Sequence, residues 1–248
     1  MGGADRWRVV ILCDDQWERI RNLLPGRKAT VGVTAKDNRL FIEAVLYRYR
    51  TGIPWRDLPK RFGDFRVVHL RFSRRAKTGV WARVFEHLAQ DADNEYAMID
   101  ATIVRAHQHS AGAKKDGNDQ AIGRSKGGLS TKIHATVDAL GNPTRFHLTP
   151  GQAHDLEGAD ALLADKAYAA DEGVIEPLRH AEIEPVIPTK ATRKEPRPYD
   201  KDLYKARSLI ENFFCKLKQF RAIATRYDKT ARNFLAAVHL SAAIVWLN

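Results

Sequence analysis

Tyr204, Arg207, Glu211 and Lys218 place a phenol, two cations and a carboxylate at spacings of three, four and seven residues. The segment that holds them, residues 203–220, has helical periodicity. At 100° per residue with Leu203 at zero, Leu203, Ala206, Ile210, Phe213, Phe214, Leu217 and Phe220 fall between roughly 260° and 20°, a core-facing stripe. On the same wheel the four polar residues fall between roughly 40° and 100°, on one ridge beside that stripe. A carboxylate flanked by cations suits Glu211 as a metal ligand, with Arg207 and Lys218 holding phosphates. The same spacing also makes Arg207 and Glu211 an ordinary (i, i+4) ion pair on a solvated face.

The pattern Y-x2-R-x3-E-x6-K resembles the C-terminal signature of bacterial insertion-sequence transposases of the DDE class. RSLIENFFCKLKQFRAIATRYDKTARNFLAAVHLSAAIVWLN is similar to that family through its last residue, as are MIDATIVRAHQHSAGAKK, GRSKGGLSTKIHATVDALGNPTRFHLTPGQAHD and ADKAYAADEGVIEPL. GIPWRDLP and FGDFRVVHLRFSRRAKTGVW resemble its helical N-terminal region. The resemblance implies a ribonuclease H-like mixed α/β sheet flanked by helices and preceded by a small all-helical domain. It also implies a catalytic, metal-binding triad: Asp100 on the first strand, Asp165 at the end of a central strand, and Glu211. The cofactor is then Mg²⁺, with Mn²⁺ substituting, since hard cations take a few carboxylates plus substrate phosphate. The implied partners are terminal inverted repeats and target DNA, handled by a homodimer or larger assembly.

The elements that must position these residues are legible in outline. Residues 1–94 read as helices. One is capped by Asp14 and Asp15 and ends at Pro25-Gly26, and another spans about 37–49 before Gly52. A third and fourth follow, with a break near 77–79. Arg66, Arg71, Arg74 and Arg75 crowd the third helix, as in a helix-turn-helix reader of DNA or in a bundle with a solvated basic face. From 95 to 248 the pattern turns α/β. YAMIDATIVRA alternates as a strand, TKIHATVDAL and TRFHLTPG flank turn residues Gly141, Asn142 and Pro143, and PVIPT is a further strand. Residues 107–130 are glycine-rich and aperiodic, and read as a mobile basic loop in which Arg124 and Lys126 clamp DNA phosphates. Thr102 should share a strand face with Asp100. His107 and His109 form H-x-H without further ligands at zinc spacing. His154 and Asp155 stand near the sheet edge, with Asp155 equally suited to capping a helix.

Forty-one Lys and Arg against thirty Asp and Glu give a formal charge of +11, which favours a polyanionic partner such as nucleic acid. Cys13 and Cys215 make neither a disulfide framework nor a zinc site. The N-terminus lacks a signal-peptide pattern, and residues 234–247 are too short for a membrane span. These features place the chain in the cytoplasm, nucleoid-associated when bound, with no membrane partner.

Two departures from the family pattern stand out. Nine residues separate Asp155 from Asp165, where the family fits a helix, a loop and the central strand in about ten residues more than this chain provides; a two-turn helix alone takes about seven or eight. Ala167 and Ala169 replace a usual glycine and a common acid. Three functions follow: an active transposase, an impaired remnant that only binds DNA, and a metal-dependent nuclease that does not join strands.

Overall fold

A computed structural model of the chain describes residues 12–27, 34–93, 95–112, 120–153, 186–187 and 200–248. Four helices come first: α1 (Asp14–Arg21), α2 (Asn38–Thr51), α3 (Phe65–Lys77) and α4 (Val80–Leu88). Cys13, rather than Asp14 or Asp15, takes the α1 N-cap, and its backbone N–H donates to Gln16 Oε1 at 3.0 Å. The two aspartates lie in the first turn, where the positive end of the helix dipole favours acids. Asp37 caps α2 by accepting from the Leu40 N–H at 2.8 Å. Gly52 closes α2 at φ +76, a left-handed geometry in which a side chain would be strained and would meet Arg221 Cβ at 3.0 Å. Two short 3-10 turns, Trp55–Asp57 and Lys60–Phe62, carry the chain from α2 to α3.

The sheet is mixed. β1 (Met98–Ala106) pairs antiparallel with β3 (Gly128–Val137), β3 pairs antiparallel with β4 (Pro143–Pro150), and β5 (Thr225–Arg226) joins β1 in parallel. The β3–β4 turn is built on Asp138. This buried carboxylate accepts from the N–H groups of Leu140 (3.0 Å), Asn142 (2.7 Å) and Asp93 (3.1 Å). Such triple donation to one carboxylate fixes a tight turn more firmly than the Gly-Asn-Pro chemistry alone. The expected loop over 107–130 is in part a hairpin. β2 (Gly123–Ser125) pairs with β3 across Lys126 and Gly127. A three-residue strand is too short to show alternation, and so the sequence reads there as loop.

Helices α5 (Lys201–Lys205), α6 (Ser208–Lys218), α7 (Arg221–Ala224) and α8 (Ala231–Trp246) complete the described chain. The periodicity over 203–220 predicts one helix, but the structure breaks it at Ala206–Arg207. There Arg207, Leu209 and Ile210 donate three residues back, to Tyr204 O (3.1 Å), Ala206 O (2.9 Å) and Arg207 O (3.2 Å). No proline or glycine marks the break. Short 3-10 turns inside a helical run commonly accompany functional sites, and this one carries Arg207.

One hydrophobic core runs from Leu12 to Leu247, through both the helical region and the sheet. α8 is its axis, packing on α3, α4 and β4. Phe213, Phe234 and Leu240 are almost fully buried, each such side chain contributing about 1.5–3 kcal/mol on burial. His239 on α8 lies against Phe85 (ring centroids 5.2 Å) and Phe146 (5.8 Å), and burial pushes its imidazole down to about 4. Of PVIPT only Val186 and Ile187 are described, and both are buried. No helix among the described residues is long and apolar enough to cross a membrane.

Candidate active site

Strand alternation puts Met98, Asp100, Thr102 and Val104 on one face of β1, the face that packs under α6. Thr102 is buried there beside the acid. Asp100 pairs across the sheet with Ala135, whose small side chain leaves the carboxylate room. Asp100 Oδ1 accepts from the Ala101 N–H at 2.8 Å, which leaves Oδ2 to face the helix.

The break between α5 and α6 brings Arg207 over that oxygen. Arg207 Nη2 donates to Asp100 Oδ2 at 3.0 Å, a charge-assisted contact between residues 107 apart in sequence. The same nitrogen lies 3.7 Å from Glu211 Oε1, and Arg207 Nη1 donates to the Tyr204 hydroxyl at 3.4 Å. Asp100, Tyr204, Arg207 and Glu211 therefore form one cluster. Arg207 and Glu211 are an (i, i+4) pair, and that pair also reaches across to the sheet.

Exposure grades across the cluster. The Asp100 side chain is 17% exposed, Arg207 26% and Glu211 60%. A solvent-borne cation meets the Glu211 carboxylate first and the Asp100 carboxylate behind it. Two carboxylates beside one another are hard-oxygen donors of the kind a divalent ion such as Mg²⁺ takes. Among the described residues no group of three or more His, Cys, Asp or Glu gathers. Asp165, His154, Asp155, Ala167 and Ala169 lie outside the described residues.

Lys218 is exposed on α6, two helical turns beyond Glu211, roughly 10 Å along the axis. Arg124 is exposed on β2 and Lys126 in the turn that follows it. The four arginines of α3 divide. Arg66 and Arg74 are exposed, next to exposed Val67 and Leu70. Arg75 is buried, donating to Pro25 O (2.9 Å) and Asn38 Oδ1 (2.8 Å), and burial together with Arg71 lowers its guanidinium to about 9. Arg71 is half-buried, bonded to Asn38 and stacked 4.2 Å over Phe41. The signal for this division is in the sequence: Val68, Phe72, Arg75 and Ala76 share the core stripe at helical spacing.

His107 and His109 stand at the other end of β1, their ring centroids 4.6 Å apart. His107 stacks on Tyr227 at 5.0 Å with a 29° interplanar angle. No sequence pattern joins these residues to the 48–57 segment they meet, because that contact is purely tertiary.

Comparison with known proteins identifies the family. Residues 93–246 match the family described as "Transposase DDE domain", and residues 12–85 match "Putative transposase of IS4/5 family". A 128-residue stretch is 48% identical to "Uncharacterized protein y4sN" of Sinorhizobium fredii, covering 52% of this chain and 95% of that protein. A 129-residue stretch is 39% identical to "Putative transposase for insertion sequence element IS6501" of Brucella ovis, covering 48% of this chain and 99% of that protein. No solved structure matches. The matched family acts on DNA and generally uses a divalent metal. Its domain takes in the strand of Asp100, the helix of Glu211 and the whole sheet between them, and the chain belongs to the DDE transposases.

Proposed function

We propose that the chain cuts DNA at the ends of its insertion sequence and joins those ends to target DNA. In this reading Asp100, Asp165 and Glu211 are the ligands of a divalent metal centre that takes Mg²⁺ or Mn²⁺. The observation that carries the reading is the Asp100–Arg207–Glu211 cluster: a strand acid and a helix acid share one cation. When bound, paired divalent ions stabilise the attacking and leaving oxygens of an in-line phosphodiester displacement together.

The chain's own groups supply the remainder. Asp100 and Glu211 provide fixed negative donors from two rigid elements. Arg207, held by the Tyr204 hydroxyl, balances their charge and presents its planar fork to a phosphate, with Lys218 further along the ridge. Arg66 and Arg74 on α3 contact the backbone of the recognised end, and Arg124 and Lys126 that of the second duplex. Two element ends must be held together, so the working form is a dimer or larger.

The short stretch between Asp155 and Asp165 favours one rival reading, a remnant that binds DNA and cuts nothing. A labelled duplex carrying the DNA that flanks the gene, incubated with a second duplex and Mg²⁺ or Mn²⁺, separates the cases. The expected result is nicking at a repeat terminus and joined product, both reduced at least about a hundredfold in Glu211→Gln and in Asp165→Asn. Retarded DNA without nicking would establish the remnant, and nicking without joined product a nuclease.

A further inference from the structure

Three segments remote in sequence meet at the end of β1 away from Asp100: residues 48–57, 107–109 and 226–228. Between them is a cavity of about 740 Å³ lined by Arg48, Trp55, Arg56, His107, His109 and Tyr227, among others. His107 follows β1 and stands seven residues beyond Asp100, roughly 23 Å at the rise of an extended strand. The cavity is therefore separate from the carboxylate cluster.

Its walls combine two chemistries. Tyr227, 39% exposed and stacked on His107, offers a planar surface, and Trp55 supplies a second ring. Arg48, only 3% exposed, lies 4.5 Å over the Tyr49 ring and 5.0 Å over Trp55. Its Nη1 stands 3.6 Å from Asp228 Oδ2, and neither Nε nor Nη1 has a hydrogen-bond acceptor among the described residues. Exposed Arg56 at the rim and Arg48 in the wall make the cavity cationic, which favours an anion. Stacking rings beside an anion site match the two halves of a nucleotide.

We propose that this cavity holds one unstacked nucleotide of a DNA strand, its base against Tyr227 and His107 and its phosphate toward Arg48 and Arg56. It is a second DNA subsite, specific for single-stranded character and not for sequence, since every base has a stacking face. The inference rests on the reading of the chain as a DNA-handling enzyme but not on the metal triad, so it is tested without metal.

The full chain in EDTA is titrated into a thymidine oligonucleotide carrying one central 2-aminopurine, and in parallel into a labelled duplex. Tyr227→Ala and Arg56→Ala should each weaken strand binding about tenfold and remove the stacking change in 2-aminopurine fluorescence. Duplex affinity should stay within about twofold, because duplex contacts are mainly to phosphates elsewhere. Thermal unfolding of both variants identifies any that misfold, and exposed Arg56 carries the test if Tyr227→Ala does so. Strand binding unchanged in a folded variant, or lost in equal measure on both DNAs, would overturn the subsite. Saturation by micromolar dTMP would also overturn it, assigning the cavity to a free nucleotide. Wild-type chain that binds neither DNA would instead remove the DNA reading itself.

Discussion

Two of the arginine–aspartate pairs among the described residues lie in opposite surroundings. At the candidate active site Arg207 lies between Asp100 and Glu211, with all three side chains part-exposed. At the seam between the N-terminal helices and the sheet, Asp228 is 7% exposed and stands 3.6 Å from buried Arg48. It accepts the Tyr49 hydroxyl at 3.1 Å, and burial beside that carboxylate raises the phenol well above its usual range, keeping it a donor. Arg226, fully buried, donates to the Asp228 backbone oxygen at 3.0 Å and to Thr131 Oγ1 at 2.7 Å. The exposed set is open to solvent at Glu211. The buried set keeps Arg48, Tyr49 and Arg226 on one aspartate, and it ties two halves of one core together.

That contrast is open to test by matched substitutions. Asp228→Asn leaves the Arg48 charge buried without its counter-ion, and should lower unfolding free energy by about 3–5 kcal/mol in urea titrations. Asp100→Asn should change it by about 1 kcal/mol or less, since part-exposed pairs are weak. Equal losses at the two sites would show that the Asp100–Arg207 pair is structural as well.

A smaller effect comes from His239. Its folded value of about 4 lies below the ordinary 6.5 because burial disfavours the charged ring. The unfolded chain therefore binds a proton that the folded chain refuses. Stability on this account is flat above pH 6.5 and falls as the pH drops from 6.5 toward 4, by about 3 kcal/mol in total. His239→Leu should flatten that limb in denaturant titrations across the same range. An unchanged slope would assign the acid sensitivity to carboxylates.

Much of this was legible because it is periodic. The ridge of Tyr204, Arg207, Glu211 and Lys218 follows from helical spacing, and β1 and the β3–β4 hairpin follow from alternation and turn residues. The Ala206–Arg207 break was not legible, since no residue there forbids helix. It appears only once Asp100 is opposite Arg207. Nor was the β2 hairpin, which has too few residues to alternate. Arg75 was legible in principle: it sits on the Val68–Phe72–Ala76 stripe, yet a run of arginines draws the eye to charge before phase. The cavity lined by residues 48–57, His107 and Tyr227 depends on contacts between distant segments, which no local pattern encodes.

Asp100 and Glu211 are proposed to bind one metal ion together. Titration calorimetry of Mn²⁺ into the full chain measures it directly, with Asp100→Asn and Glu211→Gln as separate variants. Saturable binding is expected in the parent chain and loss of that binding in both variants, while each keeps its thermal unfolding transition. Binding that survives either substitution unchanged would contradict the shared site.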